Sequence, residues 1–309
     1  MYTEKRSSQS ESVPLRGLDY HVQIWPGAGD GARQPLVLLH GWMDVAASWQ
    51  FMVDALSDAF TAGRTIIAPD WRGFGQTRLP AAASAPDHYG FADYLADLDF
   101  LLGHYAPGQA VDLAGHSMGG NIAMLYAGVR PERIRRLINL EGFGMPASQP
   151  SQAPGRYAQW MDELKSLRRG DITVKTYDSR EAVARRLMKT NPRLSADKAN
   201  WLAGHWARPD AAGQWQIQGE AAHKVISAQL YRLDETLAIH RCISAPVLAV
   251  QASDDSMTRW WKGQYTLADY HERLQQVRDV QVAVIQDAGH MLHHDQPEQL
   301  ARLMETFLN

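Results

Sequence analysis

Short apolar runs alternate along the chain with stretches whose apolar residues recur at helical spacing. This is the pattern of a mostly parallel, doubly wound α/β sheet with helices on both faces. Buried strands are expected at residues 20–25, 36–39, 65–68, 111–114, 137–140, 247–250 and 280–285, and helices at 45–56, 91–104, 118–129 and 297–308. The alternation fails between about Gly144 and His240. There the helical stretches 156–167 and 180–189 are punctuated by Pro150, Pro154, Pro192 and Pro209, and no strand-length apolar run appears. The expected organisation is a flexible amino terminus (1–14), a core formed by 15–143 and 241–309, and a helical cap (144–240) inserted between the sixth and seventh sheet strands. Trp160, Trp201, Trp206 and Trp215 lie in the cap. They are expected to form its own core or to line a substrate pocket.

Composition narrows the class without changing this picture. Of 309 residues, 45% are hydrophobic and 21% charged, as in an ordinary globular protein, and a net charge of −3 offers nothing to nucleic acid or an anionic membrane. A neutral small molecule is the expected partner, and oligomeric state is left open. The polar first dozen residues lack the apolar stretch of a secretory signal, and no apolar run reaches membrane-spanning length, so a cytoplasmic protein is expected. The single cysteine, Cys242, excludes an internal disulfide and is expected to be a buried packing residue.

Candidate chemistry clusters where apolar runs end. Gly115-His116-Ser117-Met118-Gly119 directly follows one expected strand and opens a helix. That sharp strand-to-helix turn lifts a serine hydroxyl clear of the sheet and sets it at a helix amino terminus, which favours developing negative charge. Ser117 is the candidate nucleophile. His40-Gly41-Trp42 ends another strand at the same sheet edge, so the backbone amides of Trp42 and Met118 are the candidate oxyanion hole. His40, Gly41, Trp71 and His116 are placed around the substrate, with His40 also expected to hydrogen-bond beneath its loop. In the loop Pro69-Asp70-Trp71-Arg72-Gly73-Phe74-Gly75, Asp70 and Arg72 are expected to brace the turn. His290, in Asp287-Ala288-Gly289-His290 after the last strand, is the candidate base, while His293 and His294 are expected to pack near the following helix. The His290, His293, His294 spacing lacks a carboxylate partner pattern. No metal and no cofactor are expected.

Together these four motifs resemble the α/β-hydrolase superfamily, in order from about residue 18 to the carboxyl terminus. The resemblance implies an α/β-hydrolase fold and a hydrolase that forms an acyl-enzyme on Ser117, cleaving an ester-like bond of a small apolar substrate. Serine at the nucleophile position departs from the aspartate of haloalkane dehalogenases and epoxide hydrolases. The alternatives within the fold are a cofactor-independent dioxygenase or a carbon–carbon hydrolase, although Met118 departs from the dioxygenase pattern; outside enzymes, a ligand receptor. The superfamily offers two places for the acid that completes a catalytic triad. After the seventh strand this chain reads Ala252-Ser253-Asp254-Asp255-Ser256, keeping an acid at Asp255 but losing the usual glycine and proline; after the sixth it has Glu141. Glu141 is favoured, with Asp255 and then Asp254 as alternatives.

Overall fold

A computed structural model describes residues 2–27, 33–81 and 83–309. Its strands are β1 (Gln9–Leu15), β2 (Leu18–Trp25), β3 (Leu36–Leu39), β4 (Ile66–Pro69), β5 (Val111–His116), β6 (Ile134–Leu140), β7 (Thr176–Tyr177), β8 (Ala207–Pro209), β9 (Trp215–Ile217), β10 (Val247–Ala252) and β11 (Val280–Ile285). Eight of them form one sheet in the order β1-β2-β4-β3-β5-β6-β10-β11. The pairs β1/β2 and β2/β4 are antiparallel and the others parallel.

The two-residue period of a strand divides its side chains between the sheet faces. Leu36 and Leu38 pack on one face with the helices Gln50–Ala55 and Pro297–Leu308. Val37 and Leu39 pack on the other with Phe91–Tyr105 and Met118–Val129. Both faces of β3, β4 and β5 are therefore buried, which is why β3 and β4 are apolar throughout and β5 is apolar apart from the paired Asp112 and the terminal His116. Burying each large apolar side chain contributes roughly 1.5–3 kcal/mol. The carboxyl ends of β3, β5, β6 and β11 release the loops that carry the candidate site, as expected at the edge of an open α/β sheet.

Four expectations need correction. Residues 9–14 of the terminus read as flexible belong to β1, an edge strand that buries only Val13 and Leu15 and so lacks an apolar signature. Upstream of it, Trp201 donates to Glu4, and Arg6 donates from its backbone to Asp54. The last strand, β11, is not buried; as the opposite edge it exposes Val282 and Val284. Cys242 is exposed at the end of the helix Leu233–Arg241, not packed inside. Finally, the insertion is not wholly helical. Besides the helices Ala153–Arg168, Arg180–Thr190 and Ala196–Trp206 it contains a small sheet, β7-β9-β8, whose strands are too short to give a sequence pattern. Trp201, Trp206 and Trp215 pack on a cluster built from Val183, Leu187 and Leu202 together with Val45 and Phe51 of the core.

Candidate active site

The turn after β5 is strained where the sequence requires it. Ser117 sits between β5 and its helix at φ 54°, ψ −115°, a conformation that costs a non-glycine residue on the order of 1–3 kcal/mol. Its amide donates to Leu140 O at 2.8 Å and its carbonyl accepts from Asn121 N at 3.0 Å, which pin the turn from both sides. A Cβ on Gly115 would overlap Gly119 O, and one on Gly119 would overlap Leu39 O, so only glycine lets β3, β5 and the helix approach this closely. Ser117 is half-buried, and its hydroxyl makes no hydrogen bond among the described residues. Gly41 lies against the same turn: a Cβ there would stand 3.3 Å from Ser117 Cβ. The amides of Trp42 and Met118 are likewise unspent among the described residues, Met118 because it is the first residue of its helix.

His290 is fixed from behind. Its Nδ1 lies 3.2 Å from Glu141 Oε2, and Glu141 also accepts from Ala252 N at 2.7 Å and Ser256 Oγ at 2.8 Å. The remaining carboxylate candidates are engaged elsewhere. Asp255 caps the helix Ser256–Trp261, accepting from Thr258 N at 2.9 Å and Thr258 Oγ1 at 2.6 Å, and Asp254 pairs with Arg193 at 2.8 Å. Glu141, like Ser117, is held at positive φ, 56°. The indole of Trp260 meets His290 edge-on at 4.4 Å between ring centroids.

Burial governs the electrostatics of this pair. It pushes the Glu141 carboxyl up to about 7, aided by the charges of Asp255 and Asp254 and opposed by the Ala252 and Ser256 donors. Burial, with the Arg259 guanidinium adding to it, pushes the His290 imidazole down to about 4. A neutral His290 at neutral pH is a proton acceptor in waiting. Ionised Glu141 at Nδ1 favours the imidazolium, so a proton arriving on His290 is stabilised by the carboxylate behind it.

The structure places the other expected site residues unevenly. Trp71 is fully buried and donates its indole N–H to His40 O at 3.1 Å, while its backbone N–H donates to His40 Nε2 at 2.9 Å. His40 Nδ1 then donates to Gly41 O at 2.8 Å. Trp71 and His40 therefore brace the loop after β3 and face the protein, not a substrate; the loop turns the aromatic ring inward, which its sequence does not reveal. His116 is also buried, bonding to His290 O at 2.7 Å, so it too faces the protein. Asp70 and Arg72 brace as expected. Asp70 accepts from Ala46 N and Gln76 N at 2.7 Å and bonds to His21 Nδ1 at 2.7 Å, and Arg72 clamps Asp97 at 2.6 Å. His293 and His294 both reach Ser48 Oγ. Sequence reasoning missed Ser256 and Trp260. Ser256 reads in the sequence only as the residue standing where the usual motif has proline, Trp260 belongs to no motif, and only the helix following β10 brings them to Glu141 and His290.

The same architecture recurs among known proteins. A family model described as alpha/beta hydrolase fold matches residues 34–297. A serine hydrolase-like protein of Danio rerio is 22% identical over 99% of this chain and 90% of its own length. A 2-hydroxy-6-oxo-2,4-heptadienoate hydrolase of Pseudomonas putida is 35% identical over 37% of this chain and 40% of its own. Among solved structures, a hypothetical protein of Pseudomonas aeruginosa covers 100% of this chain and 99% of its own at a TM-score of 0.80 and 23% identity. The family match spans β3 to the start of the last helix and takes in Gly41, Ser117, Glu141 and His290, and on that extent the chain belongs to the α/β-hydrolase fold family.

Proposed function

We propose that this chain is a serine hydrolase that cleaves an ester-like bond of a small apolar substrate through an acyl-enzyme. Ser117 Oγ attacks the carbonyl carbon as His290 Nε2 takes its proton, and the amides of Trp42 and Met118 receive the oxyanion. His290 then gives that proton to the leaving group, and afterwards takes one from the water that releases the acyl group. The observation that carries the reading is the His290–Glu141 contact of 3.2 Å beside a strained turn whose serine hydroxyl makes no hydrogen bond among the described residues. Trp42 and Trp260, both exposed, supply apolar surface next to the oxyanion amide and the base. The insertion 144–240 acts as a cap that sets substrate choice. In support, Trp206 donates to Asp44 at 3.1 Å and Gln218 O accepts from Gly75 N at 2.9 Å, tying it to the loops after β3 and β4. Among the described residues no helix is long and apolar enough to cross a membrane, and the reading places the enzyme in the cytoplasm with a small-molecule substrate and no cofactor.

Labelling with a fluorophosphonate probe and turnover of p-nitrophenyl esters of graded chain length test this reading. Wild type should label and hydrolyse short and medium esters, and Ser117→Ala should do neither; full activity in that variant refutes the reaction class. Carbon–carbon hydrolysis is the second reading, favoured by the similarity to the Pseudomonas putida enzyme. Consumption of 2-hydroxy-6-oxo-2,4-heptadienoate in preference to every ester would replace the first reading with it.

A further inference from the structure

Behind the candidate site, three buried side chains come together, each with a polar atom left unsatisfied. Asp44 Oδ2, His116 Nδ1 and His293 Nδ1 are buried and have no hydrogen-bond partner among the described residues. The residues are 5%, 2% and 1% exposed. Each of the three residues also offers one ligand atom, a ring nitrogen or a carboxylate oxygen, within 4.8 Å of those of the other two, so one centre falls within about 2.8 Å of all three. Leaving three such atoms desolvated and unpaired costs on the order of several kcal/mol in total.

Their other atoms are already committed. His116 Nε2 meets the carbonyl of His290 at 2.7 Å, and since a carbonyl only accepts, the ring proton is on Nε2 and Nδ1 is a bare lone pair. His293 Nε2 meets Ser48 Oγ at 3.3 Å; in the tautomer that donates to this oxygen, its Nδ1 is bare as well. Asp44 Oδ1 accepts from Val45 N at 2.9 Å and Trp206 Nε1 at 3.1 Å, which commits Oδ1 and leaves Oδ2 as the oxygen open to a ligand. Two imidazoles and a carboxylate, each oriented by a partner on its far side, form a donor set for a divalent transition metal such as zinc or cobalt. Metal–ligand bonds near 2.0–2.1 Å require each atom to close by roughly 0.7 Å, within reach of small side-chain rotations. No such pattern shows along the chain, because Asp44 is remote from both histidines and joins them only through the fold.

We propose that Asp44, His116 and His293 bind a single divalent transition-metal ion. Such an ion joins the loop after β3, the end of β5 and the short helix Leu292–Asp295: Asp44 follows the Trp42 amide, His116 precedes Ser117, and His293 follows His290. The proposal concerns binding alone and stands apart from the hydrolase reading.

The test titrates chelator-stripped protein with cobalt(II), allowing for slow entry into a buried site, and follows visible absorption and the thermal midpoint. One equivalent should bind with the absorption of imidazole-ligated cobalt. At a hundredfold excess over Kd it should raise Tm by about 5 °C. Asp44→Asn and His293→Gln should each weaken binding at least tenfold and abolish the shift, whereas His294→Gln, outside the triad, should retain both. Should either variant fail to fold, X-ray absorption of the wild-type zinc complex decides, with two imidazoles and one carboxylate expected. Absence of saturable binding, equal binding by the two variants, loss of binding in Glu141→Gln with retention in Asp44→Asn, or a different ligand set in the absorption spectrum overturns the proposal.

Discussion

Replacing Glu141 with glutamine tests the assignment of the acid more sharply than deletion, because it keeps the shape and removes the charge. Glu141 accepts three hydrogen bonds, from Ala252 N at 2.7 Å, from Ser256 Oγ at 2.8 Å and, at 3.2 Å, from His290 Nδ1. Glutamine can offer its oxygen to Ala252, which leaves its NH2 facing Ser256 and His290. Ser256 rotates to accept. His290 accepts only by moving its proton from Nδ1 to Nε2, the nitrogen that must receive the serine proton, and the imidazolium also loses its counter-charge. A wrong tautomer and an unpaired cation together should lower kcat roughly 10²- to 10⁴-fold, about 2.7–5.5 kcal/mol in the barrier, with KM little changed. Stability should not fall in parallel. Burial already pushes the Glu141 carboxyl up to about 7, so a neutral isostere relieves a desolvated charge. Asp255→Asn is the control: asparagine is itself a good helix cap, so Thr258 keeps its partner and kcat should stay within about threefold. Steady-state kinetics on one p-nitrophenyl ester, with thermal denaturation of each variant, measure both quantities. A larger kcat loss in Asp255→Asn than in Glu141→Gln would refute the assignment.

Three further outcomes follow from the geometry. Ser256→Ala removes a donor that lowers the Glu141 carboxyl, so the acidic limb of the kcat/KM profile, below which Glu141 is protonated, should move to higher pH; an unmoved limb excludes Glu141 as its source. Gly75→Ala forces a methyl into the Asp70 carboxylate at φ 55° and should cost roughly 2–4 kcal/mol in urea unfolding, against which a neutral result would mean that Asp70 does not anchor the loop. Burial pushes His40, His240 and His290 down to about 4 and His223 and His294 down to about 3, so the unfolded chain, titrating near 6.5, binds their protons first. Their contribution to stability is complete above pH 6.5 and is lost as pH falls toward 3–4, each histidine adding up to about 1.4 kcal/mol per pH unit; a urea midpoint unchanged between pH 7 and pH 5 would contradict this.

The sequence was most legible where local pattern and tertiary role coincide. Strand β5, its turn and the helix Met118–Val129 form a contiguous unit, so the serine turn could be read from its motif together with the strand before it and the helix after it. Glu141 was legible because a carboxylate ending an apolar strand needs partners, which Ala252, Ser256 and His290 provide. Edges were not legible. In β1 only Val13 and Leu15 face the interior, too few to establish a period, while the apolar residues of β11 suggested a burial that its edge position denies. Side-chain direction in loops was lost too: the Trp71 ring could have faced a ligand as readily as the core, and its bond to His40 decides for the core. Cys242 misled in the same way, since its apolar neighbours turn inward at the end of a helix and leave the thiol outside.

The glycine contacts beneath the serine turn bear on any attempt to redirect what the site accepts. Gly115 and Gly119 have no room for even one added methyl, so a randomised library spanning the turn would recover little beyond its starting sequence. Room for variation lies where side chains beside the site already end in solvent, at Trp42 next to Gly41 and at Trp260 against His290. The molecule thus separates a frozen scaffold from an adaptable rim only a few residues away, and combinatorial effort belongs on the rim.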